Sequence, residues 1–373
     1  MGSKKLKIGL LLDDTLDTPD GVQQYVLTLG EWLGGKGHEV HYIVGASKRK
    51  DVANLHPLAR VVRLKFNGNR VGTPLLASKR RIKELVDTLD LDVVHVQMPY
   101  SPLFAGRFIN ALPSNVRVVG SFHVLPSDNA TKFGAKALKK LLGKSLERID
   151  QMLSNTTSTA AFFKEAWGVE SRVVPNPVHV GKFITNKRFD WDKDKLNVVF
   201  LGRMVERKGA ANLVEAMTLL PPRVAKNIRL HMGGKGPLLK RIEEQIKLND
   251  LEECVSTLGF ISEEDKPAFL ASADIAIFPS TGGESFGISV VEAMAAGSGV
   301  VLAGRNPGYN CVLGQRPDMM FDASDPQSIA DALTKWSDSA TERREAQSWL
   351  AEHVKQYDIG KSVGPQILAA YTK

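Results

Sequence analysis

Two carboxylates, Glu284 and Glu292, stand eight positions apart in the segment Gly282-Gly283-Glu284-Ser285-Phe286-Gly287-Ile288-Ser289-Val290-Val291-Glu292-Ala293-Met294-Ala295-Ala296-Gly297. Carboxylates accept hydrogen bonds, so both could hold sugar or ribose hydroxyls. The apolar stretch from Ala273 to Pro279 reads as a buried parallel strand, and the run after Gly287 reads as a short helix. The turn between them falls at the carboxyl end of a strand, where α/β sheets bind ligands. A helix start there offers free N–H groups and positive dipole to a diphosphate, with Ser285, Phe286, Gly287 and Ile288 nearest to it. The pattern suits a nucleotide that carries a sugar. For this segment alone, an ordinary strand-to-helix turn with acidic residues near the helix start is the alternative.

A second group follows another strand. In Gly202-Arg203-Met204-Val205-Glu206-Arg207-Lys208-Gly209, Arg203 offers a planar fork and Lys208 a mobile point charge, and both could reach a diphosphate. A solvated basic loop is the alternative. Gly233-Gly234-Lys235-Gly236-Pro237 and Gly259-Phe260-Ile261 close two further strands, which makes Lys235 and Ile261 candidates to touch the nucleoside base. In the first half, Asp20-Gly21-Val22-Gln23 opens a helix. Gly21 there lets a ligand approach the backbone, although a plain N-cap at Asp20 would look the same. His123 ends the strand Arg117 to Phe122 at its carboxyl edge and is a candidate to act on substrate, whereas His95 lies inside an apolar run and reads as core. Asp322 and Asp325 read as helix caps.

These residues need two sheets to hold them. Lys7 to Leu12, Glu39 to Val44, Asp92 to Val96, Arg117 to Phe122 and Gln151 to Ser154 read as strands, with helical segments between several of them. Alternation of this kind gives a doubly wound parallel sheet. The pattern pauses at Val174-Pro175-Asn176-Pro177-Val178 and in the polar stretch Asn186 to Lys195, which reads as a linker. It resumes with Leu196 to Leu201, Ile228 to Met232, Cys254 to Leu258, the strand before Glu284, and Gly299 to Leu302. The expected organisation is an acceptor-side domain of residues 1–178 plus 357–373 and a donor domain of residues 190–356. Two Rossmann-like halves would face a cleft, with the C-terminal helix crossing back to the first.

A length of 373 residues agrees with two domains. No apolar run approaches the roughly 18 residues that span a membrane, and Leu6 to Leu12 is too short for a secretory core and runs into Asp13-Asp14. Two cysteines, Cys254 and Cys311, are too few for a disulfide framework and lack metal-site spacing. No Asp-x-Asp pair stands in a suitable loop, so no metal or other cofactor is expected to be obligatory. The net charge of +8 favours anionic partners. Aromatic residues make up only 7% and do not interleave with the basic ones, which argues against nucleic acid. The segment Lys79-Arg80-Arg81-Ile82-Lys83-Glu84-Leu85-Val86 reads as a basic amphipathic helix with Ile82, Leu85 and Val86 on its apolar side. It is either a solvated face or a contact for anionic lipid headgroups, and Lys132, Lys136, Lys139, Lys140 and Lys144 add charge to the same half. The expected location is cytoplasmic.

Taken together, Glu284 to Glu292 and Gly202-Arg203 to Lys208-Gly209 resemble the retaining glycosyltransferases of family 4, which have the GT-B fold. The resemblance covers nearly the whole chain. Within that family the chain looks most like the bacterial phosphatidylinositol α-mannosyltransferases, which use GDP-mannose. Asp20-Gly21-Val22-Gln23 is similar to their Gly-Gly-Val-Gln loop, Ser121-Phe122-His123 resembles their Thr-Phe-His, and the donor-side segments match closely. The chain departs from them at Asp20, at Val124-Leu125-Pro126 after His123, and across Lys65-Phe66-Asn67-Gly68-Asn69-Arg70, where the basic lipid-phosphate cluster is thinner.

The resemblance implies that Arg203 and Lys208 neutralise a leaving diphosphate, Glu284 holds sugar hydroxyls, Glu292 holds the ribose and Gly21 lets the diphosphate approach. His123 would meet the sugar or support the acceptor side. Asp20, Gln23, Arg70, Lys79, Arg80, Arg81 and Lys83 would meet a lipid acceptor or an anionic membrane surface. Two rivals remain. One is a soluble family 4 enzyme using a UDP-sugar and a small polyol or glycan. The other is a GT-B-like module that binds lipid or nucleotide without turnover, against which stand both glutamates, Arg203 and Lys208.

Overall fold

The computed structural model describes residues 4–18, 20–66, 69–125 and 129–372. It divides into two compact units, Met1–Pro177 with Ile359–Lys373, and Val178–Asp358. In unit one, strands β1 (Lys7–Thr15), β2 (Glu39–Ala46) and β3 (Leu55–Pro57) precede an antiparallel hairpin of β4 (Val61–Phe66) and β5 (Asn69–Pro74). After it come β6 (Val93–Met98), β7 (Arg117–Phe122), β8 (Gln151–Ser154) and β9 (Arg172–Val173). All but the hairpin join one parallel sheet in the order β3-β2-β1-β6-β7-β8-β9. The change of direction on either side of β1 is that of a doubly wound sheet. Its central strands are continuous apolar runs because helices cover both faces. Ile8, Leu10 and Leu12 join one core cluster, and Leu11, Val94 and Val96 the other.

The C-terminal helix Gly364–Tyr371 completes unit one. Val363, Ile367 and Tyr371 are buried with Leu10, Leu29 and Val40, and the Arg117 Nε donates to the Ala370 carbonyl at 2.7 Å. The Tyr371 hydroxyl lies 2.7 Å from Nδ1 of His95, whose Nε2 lies 2.7 Å from Oγ of Ser121. A neutral imidazole donates through one nitrogen and accepts through the other, so both contacts can be satisfied at once. His95 therefore belongs to the core, as its apolar surroundings in the sequence suggest.

In unit two, strands β10 (Leu196–Leu201), β11 (Ile228–Gly233), β12 (Val255–Gly259), β13 (Ile275–Phe278), β14 (Val300–Gly304) and β15 (Met320–Phe321) form a parallel sheet ordered β12-β11-β10-β13-β14-β15. The stretch Asn186 to Lys195, polar enough to read as linker, carries Phe189 and Trp191 onto this core. Their rings lie 5.2 Å apart, and each approaches Phe269 at 5.6 Å. Asp325 caps the helix Pro326–Asp338 as expected, accepting from the Gln327 N–H at 3.0 Å.

Burial drives the pKa of His95 down to about 3, with the neighbouring His123 adding to the shift. An unfolded histidine titrates near 6.5. Below that pH the unfolded chain binds a proton that folded His95 refuses, so this contribution to stability is intact above pH 6.5 and is lost as pH falls toward 3. His95→Gln removes that proton difference. The pH dependence of the unfolding free energy, measured in urea between pH 6 and 4, should flatten by about 1.4 kcal/mol per pH unit relative to the native chain. An unchanged slope would show that His95 does not titrate this way.

Candidate functional site

The candidate donor residues of unit two stand on loops at the carboxyl ends of adjacent strands. These loops are tied to one another through their backbones. The Gly202 N–H donates to the Gly233 carbonyl at 3.0 Å, the Gly234 N–H to Gly259 at 2.6 Å, and the Met204 N–H to Lys235 at 2.9 Å. Such close approach needs glycine. At Gly234 (φ +144°) a Cβ would lie 1.8 Å from the Gly202 carbonyl oxygen, and at Gly209 (φ +69°) 1.9 Å from that of Pro279. Neither φ nor space would admit a side chain.

Glu284 is the centre of this group. Its Oε1 receives Nη1 of Arg207 at 2.6 Å, Nζ of Lys208 at 2.8 Å and Oγ of Ser280 at 3.0 Å, and its side chain is only 13% exposed. Burial alone would push this carboxyl up, but Lys208 and Arg207 outweigh it and hold the pKa at about 2. Glu284 is thus a carboxylate at any ordinary pH, with Oε2 left to accept from a ligand. Ser280 has one hydroxyl proton to share between Glu284 and the Arg207 carbonyl, whose oxygen lies 2.9 Å away. The Asn306 side chain donates to the Ser280 carbonyl at 3.0 Å and accepts from the Tyr309 N–H at 3.0 Å.

The helix that follows runs Ile288–Ala296 and begins after Gly287. Phe286 is buried, edge-on to Tyr357 at 5.5 Å, and so anchors the turn that carries Ser285 and Gly287. Glu292 lies just over one turn into this helix and is buried. It receives Nζ of Lys266 at 2.9 Å, and the same Nζ reaches Glu263 Oε2 at 2.7 Å. Burial pushes Glu292 up while Lys266 pulls the other way. Burial would lower Lys266, but Glu292 and Glu263 more than offset it and keep the ammonium charged. Arg203 lies half-buried in the turn after β10, Lys235 is exposed with its Nζ 5.9 Å from the Phe260 ring centre, and Ile261 packs beside Gly233.

The structure therefore brings Lys208 onto Glu284 and Lys235 toward the β12 loop. Gly21, expected with the donor residues, belongs to unit one. Arg207, Ser280 and Lys266 are additions. Arg207 stands beside Lys208 in the sequence, and only the short 3₁₀ turn Glu206–Lys208 lets both long side chains converge on one carboxylate. Lys266 follows three acidic residues and reads as solvated; nothing in its spacing reveals a buried ion pair. Among the described residues no group of three or more His, Cys, Asp or Glu side chains is arranged to hold a metal ion.

In unit one, Asp20 precedes the helix Gly21–Gly35 in extended conformation, Gly21 is exposed and Gln23 is buried. One turn on, the Tyr25 ring packs edge-on against His123 at 4.7 Å, and its hydroxyl lies 3.2 Å from Ser121 Oγ. His123 is 5% exposed, with Nε2 at 2.8 Å from Gln97 Oε1, and burial lowers its pKa to about 4. It is a neutral imidazole that donates to Gln97, and its Nδ1 is buried on the side of Asn176, whose interaction pulls the pKa back up against the effect of burial.

The basic segment is the helix Lys79–Leu89. Ile82 and Val86, on the apolar side, are buried in the core of unit one, and Leu85 is half-buried. The face left outward carries Lys79, Arg80, Arg81 and Lys83, all exposed, with Lys83 paired to Asp87 at 2.9 Å and Arg80 to Glu84 at 3.6 Å. Just before it, Leu75 and Leu76 are 45% and 61% exposed, and Leu103 beside them is 40% exposed. Arg70 is placed by its backbone in β5, and Asn67 and Gly68 lie outside the described residues. Among the described residues no helix is long and apolar enough to cross a membrane.

Residues 19–182 match the family described as Glycosyltransferase Family 4, and residues 182–351 match Glycosyl transferases group 1. The chain is 30% identical over 307 residues to the phosphatidyl-myo-inositol mannosyltransferase of Mycobacterium tuberculosis, covering 80% of this chain and 78% of that one. It is 28% identical to the Mycolicibacterium smegmatis protein of the same name, covering 98% and 93%. An alpha-monoglucosyldiacylglycerol synthase of Acholeplasma laidlawii is 25% identical over 80% of each chain. HepE of Anabaena, solved in complex with UDP, superposes with a TM-score of 0.70 over 98% of this chain and 99% of that one, at 16% identity, and has the same fold.

Breaking a buried ion pair from one side leaves the other charge uncompensated, whereas replacing both partners does not. Lys266→Met should therefore cost about 3 kcal/mol of stability, and Lys266→Met with Glu292→Gln should recover most of that loss. Urea unfolding of the two variants checks this. Equal losses in both would mean that the pair is not coupled.

Proposed function

We propose that this chain, which belongs to the family 4 glycosyltransferases, transfers a hexose with retention of α configuration to a membrane-associated lipid acceptor such as phosphatidylinositol, the donor being GDP-mannose. That it is a hexosyltransferase of GT-B fold follows from the family. The donor, the acceptor and the residue roles are our reading. The observation that carries it is the convergence of Lys208 and Arg207 on Glu284, at 2.8 and 2.6 Å, in front of a helix N-terminus.

In this reading, the bond between the sugar C1 and the diphosphate oxygen breaks as the acceptor oxygen bonds to C1 on the same face. The acceptor proton passes to the departing phosphate. Negative charge grows on that phosphate, and Arg203 and Lys208 offset it, aided by N–H groups at Phe286, Gly287 and Ile288. These cations take the part a divalent metal plays elsewhere, so the reaction needs no resident metal. Glu284, kept ionised by its two cations, accepts from sugar hydroxyls, and Glu292 accepts from the ribose. Lys235 and Ile261 border the base, and Gly21 borders the diphosphate. Neutral, buried His123 supports the acceptor side through Tyr25, which packs on its ring. Asp20 and Gln23 stand on the acceptor side. Lys79, Arg80, Arg81 and Lys83, together with exposed Leu75 and Leu76, rest on an anionic inner-membrane surface, with Arg70 nearby in sequence.

A second reading has an observation in its favour. The Anabaena protein of the same fold binds UDP, which favours a UDP-sugar donor, and with it the soluble-acceptor alternative. Nucleotide release from GDP-mannose, UDP-glucose and UDP-N-acetylglucosamine, with and without phosphatidylinositol vesicles, separates the two. Our reading expects turnover of GDP-mannose that rises with vesicles, and faster turnover of a UDP-sugar without lipid would replace it. Lys208→Ala and Arg203→Ala should each lower release at least about tenfold, a loss of about 1.4 kcal/mol in transition-state stabilisation. A smaller change would remove that residue from its role.

A further inference from the structure

Unit two has another recess, on the opposite edge of its sheet from Glu284. It is a cavity of about 500 Å3, bordered by Asn197 at the start of β10, Asp274 just before β13 and Gly299 just before β14. The donor loops leave the other ends of the same strands. One strand length, roughly 15–20 Å, separates the two places, so a ligand in this cavity does not touch Lys208 or Glu284.

Its electrostatics are one-sided. Arg188, Lys193, Lys195, Arg343 and Arg344 line it against a single carboxylate, Asp274. Three of these cations are anchored by neutral carbonyls, which fix them in place without cancelling their charge. Arg343 Nη1 donates to Trp336 O at 2.6 Å and Ser337 O at 3.1 Å. Lys195 Nζ donates to Lys226 O at 3.1 Å, and Arg188 Nη1 to Thr185 O at 2.7 Å. Asp274 is partly occupied, since its Oδ2 accepts from the Asn197 N–H at 2.8 Å. Burial lowers the pKa of Arg343, with Asp274 opposing the shift and Arg344 adding to it. The acidic neighbours Asp190, Asp192 and Asp194 are exposed, and none of them lines the cavity.

We propose that this cavity is a second anion site, distinct from the donor site, that takes a soluble small molecule carrying at least two phosphate groups. Charge sets the valence: one phosphate would leave the cations crowded. Size sets the class, because a recess of this volume fits a small molecule. Guanidinium forks at Arg343 and Arg344 match phosphate oxygens, and each retains N–H groups beyond those bound to protein.

The test uses inorganic pyrophosphate as probe and the full chain. Labelled pyrophosphate is titrated by equilibrium dialysis against the native chain, Lys208→Ala, and the double variant Lys193→Glu with Arg344→Glu. Both substituted side chains of the double variant are exposed, so its unfolding midpoint should match the native one. The expected result is a class of sites that Lys208→Ala keeps and the double variant weakens at least about tenfold. Pyrophosphate binding by the double variant with native affinity and stoichiometry would overturn the proposal. So would a double variant that binds pyrophosphate normally but loses sedimentation with phosphatidylglycerol vesicles, which would make the patch a lipid contact. Neither outcome depends on turnover of any donor, so failure here stays separate from failure of the glycosyl-transfer reading.

Discussion

A largely buried carboxylate that must stay ionised governs the design of unit two. Glu284 loses most of its water, and that loss alone would push its pKa up. Two cations and a hydroxyl converge on one of its oxygens and reverse the balance. Everything nearby follows from keeping that arrangement in register. Lys208 and Arg207 come from a 3₁₀ turn whose tightness Gly209 permits, and Ser280 is held between the Arg207 carbonyl and the Asn306 amide. A site of this kind is assembled before its ligand arrives. Its charges need no reorganisation when negative charge develops beside them.

Lys266 and Glu292 solve the same problem with different consequences. Here a single ammonium answers a carboxylate inside a helix, and both are less than a tenth exposed. A pair so deeply buried contributes little net stability, since desolvation offsets most of the attraction. It does impose one orientation on Glu292 and ties the loop after β12 to the helix that carries Glu292. At Glu284 both cations contact Oε1, and at Glu292 Lys266 also contacts Oε1, so in both cases one carboxylate oxygen is spent on structure.

Much of this was legible in the sequence because it is written in periodicity and in glycine. Strands buried on both faces are continuous apolar runs, and β7, β8 and β10 fall where such runs predict them. The Gly-rich turns mark the strand ends that carry the candidate donor residues. What escaped notice depends on burial, which residue type does not report. Lys266 follows Glu263, Glu264 and Asp265, a pattern that normally means a solvated turn. Phe189 and Trp191 are embedded in charged residues and still pack on the core. The β4–β5 hairpin hides for a different reason: its second strand contains Gly72 and ends at Pro74, residues that argue against a strand unless it is at an edge.

The helix Lys79–Leu89 divides its two faces between the core and the surface. Its amphipathicity is real, but Ile82 and Val86 are spent on the core of unit one, so the apolar face is not available to lipid. What remains outward is cationic and partly compensated by Glu84 and Asp87. Surface ion pairs of that sort are weak and give way to stronger fields. An anionic surface would compete for Arg80 and Lys83 at small cost. The apolar share of a membrane contact then has to come from outside the helix, from Leu75, Leu76 and Leu103, which stand exposed beside its first turn. Under the proposed reading, a membrane contact would draw its leucines and its cations from separate elements, and would be sensitive to salt and to acyl packing at once.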